Sequence, residues 1–395
     1  MLRRTARYFL MSTALGVFAA WAVAPGQAQA QAKKPFADIL SFDHYVDSVS
    51  ASPTLKGVPI KLFIRERIKD TVLKAGRQTT ADGKAVLFVH GGTYPSVPDF
   101  DLPYQDYSWM AYLASEGFDV YSVDMTGYGK SSRPNMDDKC NLGPEHQAMI
   151  GQKPCPATFT TSLTTTESDW ADVDAAVEFV RKQTGASKVN LVGWSGGGPR
   201  VGGYTALHGD KVARVVLFAP GYNRAGAETP PAEPTAKVPT MITNRAGAME
   251  RWDKAVKCEN QYDPAIRDVI WRTNLQMDPV GAKWGEGVVR RPTMSSYGWN
   301  LKLAQKFKVP VLMVVGDLDG EVLPERVRDL YADVGSVSKV YVQAACGSHY
   351  IVYERGYKLL HEGSKSWFLN GTFNNSTGGM FEADAKGKIS EYKRR

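Results

Sequence analysis

The sequence is poor in the side chains that hold metal ions or form redox pairs. It contains only six histidines and four cysteines. The histidines are scattered, and there is neither a Cys-x-x-Cys motif nor a His/Cys cluster, so the pattern disfavours a zinc or redox site. We therefore expect a protein that needs no metal and no cofactor.

The sequence also lacks a large excess of charge of one sign. Lysine and arginine number 48 against 41 aspartates and glutamates, and without the three arginines of residues 1–30 the net charge is +4. No basic cluster interleaved with aromatic residues occurs in the body of the chain. A nucleic-acid partner is therefore not expected.

Long hydrophobic runs are missing except near the N-terminus. There, Arg3, Arg4 and Arg7 precede an apolar run over residues 8–24, which ends in small residues. The run is shorter than the roughly 20 residues of a membrane-spanning helix, and an Ala-x-Ala site lies at residues 28–30. This layout predicts a cleaved signal peptide over residues 1–30 rather than a membrane anchor, and hence a periplasmic or secreted protein with no stable anchor after cleavage.

In an exported protein the four cysteines are candidates for disulfides. Cys140 and Cys155 bracket a Pro/Gly-rich segment, which a disulfide would staple, and Cys258 and Cys346 would then remain as a second pair. Four cysteines allow three pairings, and the sequence leaves the choice open.

Short apolar, β-branched runs alternate with segments of helical period along most of the chain. This alternation is typical of an α/β fold with a mostly parallel central sheet flanked by helices. The predicted strands are Val58–Ile68, Ala85–Val89, Asp119–Val123, Lys188–Val192, Arg214–Ala219, Val309–Val315 and Lys339–Gln343. The predicted helices are Gln105–Ser115, Glu167–Gln183, Gly196–His208, Leu323–Val334 and Tyr353–Phe368.

Residues 221–300 break this alternation. They are rich in Pro, Trp, Arg and Asn and contain helical patches but no convincing core strand. We expect a helical cap or lid there, inserted between two core segments, residues 31–220 and 301–370. The polar residues 371–395 are expected to form a surface tail. The tryptophans of the cap either line a substrate pocket or pack its own core; they are Trp252, Trp271, Trp284 and Trp299.

The strongest local signal is Gly193-Trp194-Ser195-Gly196-Gly197, between an apolar strand and a glycine-rich helical segment. A serine on a tight strand-to-helix turn presents its hydroxyl above the sheet edge, and glycines at its flanks let neighbouring backbone pass. Ser195 is therefore the candidate nucleophile. The next helix would direct its N-terminal amides, beginning with Gly196, at developing negative charge.

A second motif, His90-Gly91-Gly92-Thr93, follows the strand AVLFV. A tetrahedral oxyanion needs two preorganised donors, and a glycine-rich turn at this position can supply one of them. We assign the oxyanion hole to the amides of Gly92 and Gly196, with Thr93 as the alternative to Gly92. His90 is expected to orient the turn.

A third motif, Asp124-Met125-Thr126-Gly127-Tyr128-Gly129-Lys130-Ser131, follows the strand DVYSV. With the first two motifs, in this order and spacing, it resembles the α/β-hydrolase superfamily over about residues 55–370 apart from the cap. The resemblance implies a structural role for Asp124, and a triad in the chain order serine, acid, histidine.

The acid and the histidine of the triad are predicted at the ends of two later strands. VLMVV is followed by Gly316-Asp317-Leu318-Asp319, and the acid of similar hydrolases stands three residues beyond the glycine, which favours Asp319 over Asp317. His349 follows the last predicted strand and is the candidate general base.

The resemblance thus implies an exported serine hydrolase that cleaves a carboxylic ester or lactone, from a small molecule or a polymer fragment, through an acyl-enzyme on Ser195. Two alternatives stay open. One is hydrolysis of a C–C bond in a β-diketone, as in degraders of oxidised polymers, by the same three residues. The other is a non-catalytic binding protein built on the same scaffold.

Overall fold

The computed structural model describes residues 35–77, 83–229, 238–295 and 297–393, and the predicted signal peptide lies outside them. The strands are β1 Ile39–Val49, β2 Pro59–Lys69, β3 Ala85–Val89, β4 Asp119–Val123, β5 Thr164–Thr165, β6 Val189–Trp194, β7 Val212–Phe218, β8 Thr240–Asn244, β9 Val288–Pro292, β10 Met294–Ser295, β11 Val311–Gly316, β12 Lys339–Ala344, β13 Gly379–Ala383 and β14 Ile389–Glu391. The helices are α1 Asp70–Lys74, α2 Ser96–Phe100, α3 Trp109–Ser115, α4 Pro144–Met149, α5 Thr166–Thr184, α6 Gly197–Leu207, α7 Arg245–Ala255, α8 Ile266–Met277, α9 Leu301–Ala304, α10 Pro324–Asp333 and α11 Tyr357–Asn370.

A mostly parallel ten-stranded sheet organises the chain, in the order β1-β2-β4-β3-β6-β7-β11-β12-β13-β14. The strands from β4 to β13 in this order run parallel, whereas β1, β2 and β14 are antiparallel to their neighbours. The predicted α/β fold is confirmed. Because parallel strands end at the same edge, the loops after β3, β6, β11 and β12 meet there.

Helices cover both faces of the sheet. Alternate residues of a strand point to opposite faces, and in β3 Val86 and Phe88 pack with α3 and α11, whereas Leu87 and Val89 pack with α5 and α6. Every residue of β3 is fully buried. This explains why the central strands are apolar throughout.

Both edges of the sheet differ from the expectation. β1, which was not predicted, pairs antiparallel with β2 along its whole length. The expected surface tail over residues 371–395 is wrong, because β13 joins β12 in parallel and β14 pairs with β13. Phe381 and Ala383 are buried while the residues between and before them are less so, and this two-residue alternation is hidden in a polar composition.

The interval predicted as a cap lies between β7 and β11. Its described part contains α7 and α8, as expected, and also a two-stranded antiparallel ladder of β8 and β9 that does not join the central sheet. Its role as a lid stays a prediction.

Within the described ranges, no helix has the length and apolar character needed to cross a membrane.

Candidate active site

Ser195 occupies a strained turn between β6 and α6. Its φ is +54°, a left-handed conformation that is unusual for a residue with a side chain. A Cβ on Gly193 would lie 2.6 Å from the carbonyl oxygen of Gly197, and a Cβ on Gly197 would lie 2.3 Å from that of Val89. The glycines of the motif are therefore required by the close approach of neighbouring backbone.

Hydrogen bonds hold this turn on the sheet. The Ser195 amide donates to the Phe218 carbonyl of β7 over 3.0 Å, and the Ser195 carbonyl accepts from the amides of Gly198 at 2.8 Å and Gly221 at 2.9 Å. The strain at Ser195 is thus fixed by its surroundings, and its side chain faces the cavity at the edge of the sheet.

His349 lies in the loop after β12 and pairs with an acid that follows β11. Its Nδ1 is 2.9 Å from Asp319 Oδ2. Asp319 is buried, and its Oδ1 also accepts the amides of Glu321 at 2.9 Å and Val322 at 2.8 Å. Asp317, the alternative acid, is exposed. The structure therefore brings Asp319 to His349, as the motif position favoured.

The environment of His349 makes it a stronger base. Burial by itself lowers the pKa of His349, but the hydrogen bond and charge of Asp319, together with the charge of Glu321, outweigh burial and raise the pKa above its ordinary value. With Nδ1–H donating to Asp319, Nε2 is the nitrogen that can accept a proton. The nearest acid to Nε2 is Glu321, whose Oε2 is 3.9 Å away.

Ser195 and His349 line one small, partly open cavity with a volume of about 30 Å³. Among the described residues, no direct hydrogen bond joins the Ser195 hydroxyl to the His349 ring; catalytic contacts of empty sites often tighten only when substrate binds. The lining residues are Gly91, Gly92, Thr93, Tyr94, Asp99, Trp194, Ser195, Arg251, Glu321, His349 and Tyr350.

The turn after β3 is held so that its amides face this cavity. Arg200 Nη1 donates to the carbonyls of His90 at 3.0 Å and Gly91 at 2.9 Å, and the Tyr128 hydroxyl donates to the Gly92 carbonyl at 3.0 Å. The N–H group of a trans peptide points away from its carbonyl. The N–H groups of Gly92 and Thr93 therefore point away from Arg200 and Tyr128.

The two amides assigned to the oxyanion hole lie close together. A Cβ on Gly196 would stand only 2.9 Å from the Gly92 nitrogen. Within the described part of the chain, neither amide has an acceptor. Gly196 is also the N-cap of α6, where the helix dipole favours negative charge. The arrangement can receive an oxyanion.

His90 and Asp124 have the orienting and structural positions expected of them. His90 is buried; its Nε2 accepts the Met125 amide at 3.1 Å and its Nδ1–H therefore donates to the Gly91 carbonyl at 2.7 Å. Burial, with the charge of Arg200, lowers its pKa well below the ordinary value, so it is neutral. Asp124 accepts from the amides of Ser96 at 2.8 Å and Lys130 at 2.9 Å.

A family model for the alpha/beta hydrolase fold matches residues 84–355, more than half of the chain. The chain is an α/β-hydrolase. The family that the three motifs suggest is thereby confirmed.

Several solved structures are similar to this chain at low sequence identity. A serine hydrolase, CCSP0084, from the polyaromatic hydrocarbon-degrading bacterium Cycloclasticus zankles is 13% identical and has a TM-score of 0.50, covering 85% of this chain and 100% of that one. A thermophilic esterase from Thermogutta terrifontis is 15% identical, with a TM-score of 0.48 and coverage of 82% and 97%. The CarC enzyme, a serine hydrolase involved in carbazole degradation, is 16% identical, with a TM-score of 0.47 and coverage of 83% and 100%. The sequence matches none of the curated proteins.

Two disulfides are formed in this α/β-hydrolase, Cys140–Cys155 and Cys258–Cys346. Of the three possible pairings, this is the one that stapling of the Pro/Gly-rich segment favoured. The second disulfide joins the segment after α7 to the loop that carries His349, so it links the predicted cap to the site.

The tryptophans of the predicted cap do not line the cavity. Trp252 and Trp271 belong to one core cluster of the fold, Trp299 to the other, and Trp284 to a small cluster of its own. The aromatic side chains of the cavity are those of Tyr94, Trp194 and Tyr350.

Several residues that shape the site were not predicted from the sequence. Arg200 forms a buried ion pair with Asp169 at 2.7 Å while it holds the turn after β3; a single arginine within a small-residue helix was the signal for it. Asp99 accepts from the Gly91 amide at 3.2 Å and the Tyr353 hydroxyl at 3.0 Å, and burial raises its pKa well above the ordinary value. Arg251 reaches the cavity from α7 without any motif to mark it.

Proposed function

We propose that this α/β-hydrolase is an exported serine hydrolase that cleaves a carboxylic ester or lactone through an acyl-enzyme on Ser195. The observation that carries the proposal is the convergence of three groups on one cavity. They are the strained Ser195, His349 and the Gly92 amide, which all line that cavity. Asp319 pairs with His349, and Gly196 lies beside the Gly92 amide.

The first half of the reaction forms the acyl-enzyme. His349 Nε2 takes the proton of the Ser195 hydroxyl as its oxygen attacks the ester carbonyl, and Asp319 stabilises the resulting imidazolium. The amides of Gly92 and Gly196 stabilise the oxyanion of the tetrahedral intermediate. His349 then returns the proton to the leaving alkoxide, which departs as the alcohol.

The second half releases the acid. A water molecule gives a proton to His349 and attacks the acyl carbonyl, the same amides stabilise the second oxyanion, and Ser195 recovers its proton from His349. The raised pKa of His349 favours this cycle, because a more basic imidazole accepts the proton more readily.

Export is supported by the two disulfides, which persist in oxidising compartments. Its test is expression of the full chain in a bacterial host, followed by fractionation and mass spectrometry of the N-terminus. Loss of about the first 30 residues and recovery outside the cytoplasm would support the proposal; an intact N-terminus in the cytoplasm would contradict it.

The central experiment is covalent labelling by a fluorophosphonate, read as intact mass, together with hydrolysis of short nitrophenyl esters. The wild type should be labelled once and should turn over esters, whereas Ser195→Ala should do neither. His349→Ala should retain its fold, and both its labelling rate and its ester turnover should fall by a large factor. A folded wild-type protein that is not labelled would refute the proposal and favour a binding role. Product analysis separates ester cleavage, which yields an alcohol, from cleavage of a β-diketone, which yields a ketone.

A further inference from the structure

The side chain of Arg251 stands out among the cavity residues because it is the arginine that lines the same cavity as Ser195 and His349. We propose that Arg251 binds an ionised carboxylate of the substrate, so that the preferred substrates are esters that carry a free carboxylate a few bonds from the scissile carbonyl. This inference rests on the proposed ester hydrolysis at Ser195 and names its substrate class.

Among the described residues, Arg251 has no hydrogen-bonding or ion-pair partner. The other basic residues of α7 are engaged: Arg245 pairs with Asp268 at 2.6 Å, and Lys254 pairs with Glu250 at 2.8 Å. Within the described residues, no hydrogen bond or ion pair satisfies Arg251, although it is partly buried. Its guanidinium is therefore available to an anionic ligand that enters the cavity.

The helix that carries Arg251 is held in place relative to His349. Its neighbour Trp252 is buried, and the Trp252 indole donates to Glu354 at 2.9 Å. Glu354 in turn accepts the amide of Ser348, the residue before His349, at 2.9 Å. The helix that carries Arg251 and the loop that carries His349 are thus connected through one buried carboxylate.

The Cys258–Cys346 disulfide joins the same two regions a second time. A guanidinium on such a connected element is preorganised, so that little freedom is lost when a ligand binds.

The acidic residues that face the same cavity do not pair with Arg251 among the described residues. Glu321 faces the same cavity, but its carboxylate accepts the Tyr350 hydroxyl and lies 3.9 Å from His349 Nε2. No ion pair joins Glu321 to Arg251 among the described residues. Asp99 also faces the cavity, but its carboxyl oxygens accept the Gly91 amide and the Tyr353 hydroxyl, and among the described residues no ion pair joins it to Arg251.

The chemistry of the guanidinium selects a carboxylate. Its planar fork binds the two oxygens of a carboxylate in parallel, and a single arginine balances a single negative charge. The small volume of the cavity favours a short spacer between this carboxylate and the ester. The carboxylate can belong to the acyl part, as in a half-ester of a dicarboxylic acid, or to the alcohol part.

The test compares matched anionic and neutral esters. Monoethyl glutarate and 3-(butanoyloxy)propanoate carry the carboxylate on the acyl and the alcohol side, and ethyl pentanoate and propyl butanoate are their neutral counterparts. Hydrolysis is followed by pH-stat titration or chromatography, since nitrophenyl half-esters hydrolyse too quickly by themselves. The quantity measured is the ratio of kcat/KM for the anionic ester to that for the neutral ester.

The variants are Arg251→Met, which removes the charge at similar length, and Arg251→Lys, which keeps the charge and loses the fork. The matched control is Arg245→Met, since Arg245 is an exposed residue of the same helix with its own partner. Arg251→Met should lower kcat/KM for at least one anionic ester by about 10- to 100-fold, the usual effect of a charged hydrogen bond, and for the neutral ester by less than about threefold. The anionic-to-neutral ratio of Arg251→Lys should lie between those of wild type and Arg251→Met. Arg245→Met should leave this ratio unchanged.

The side on which Arg251→Met has the larger effect identifies where the carboxylate binds. If wild type and Arg251→Met show the same anionic-to-neutral ratio of kcat/KM for both the acyl-side and the alcohol-side esters, the inference is wrong while ester hydrolysis stands. If no ester is cleaved and a fluorophosphonate does not label Ser195, the proposed function is itself wrong. Should Arg251→Met fail to fold, as judged by circular dichroism, the Arg251→Lys ratio decides the question.

Discussion

The substitution Gly196→Ala tests the proposed oxyanion hole through a contact that the structure defines. A methyl group at this position would lie 2.9 Å from the nitrogen and 3.2 Å from the Cα of Gly92. Both are backbone atoms, which cannot rotate out of the way. The φ of Gly196 is −59°, which alanine adopts freely, so the new methyl group and not backbone strain at residue 196 is responsible for any effect.

The expected loss follows from the position of that contact. To restore a normal separation of about 3.4 Å, the Gly92 amide must move by several tenths of an ångström, away from the position that it needs for the oxyanion. Removal of one such donor lowers kcat about 100- to 1,000-fold, and displacement should approach the lower end of this range. KM should change much less, since the oxyanion exists only after attack.

The assay is initial-rate hydrolysis of a short nitrophenyl ester, with the thermal midpoint measured on the same samples. Gly320→Ala is the matched control, because a Cβ at Gly320 meets nothing within 4 Å and its φ is not positive. The control should keep kcat within about threefold of wild type, as expected of a surface substitution. A Gly196→Ala protein with wild-type kcat would refute the assignment of these two amides.

Three further changes test the acid, the pKa and the link to the predicted cap. Asp319→Asn should lower kcat about 1,000- to 10,000-fold, because the amide no longer stabilises the His349 imidazolium. Activity should fall as His349 becomes protonated, with an apparent pKa above the ordinary 6.5, and Glu321→Gln should move this limb of the pH–rate profile to lower pH because it removes a charge that raises the pKa. Replacing both Cys258 and Cys346 by Ser opens a loop of 88 residues and should lower the free energy of unfolding by about 4.6 kcal/mol, measured by denaturant titration.

Each of these has its own control and contradicting result. Asp317→Asn serves as the control for the acid, since Asp317 is exposed; equal losses in both variants would argue against Asp319. For Glu321→Gln, an unchanged or higher apparent pKa would show that Glu321 does not act on His349. For the disulfide, the control is the double serine variant of Cys140 and Cys155, whose separation of 15 residues predicts a smaller loss of about 3 kcal/mol. A larger loss in the control would contradict the reasoning.

The local parts of the site were predictable from the sequence. A serine between glycines after an apolar strand requires a sharp turn, and the glycine contacts at Gly193 and Gly197 supply the physical reason. The triad candidates could be placed together because each follows a strand of one parallel sheet, and parallel strands end at a common edge. Residue types within a few positions of each other determine such turns.

Contacts between distant positions were decided only by the tertiary structure. Trp252 and Glu354 are 102 residues apart, and nothing in either neighbourhood indicates that their side chains meet. Contacts between distant positions also determine which cysteines pair, how large the cavity is, and that Arg251 lines the same cavity as Ser195. The strands β1 and β13 were not predicted because they lie at or next to an edge of the sheet, where strands bury fewer residues and carry a weaker apolar pattern. Local sequence determines turns and strands, but the packing of the whole chain determines which side chains share a cavity, because that depends on distances the chain closes only when it folds.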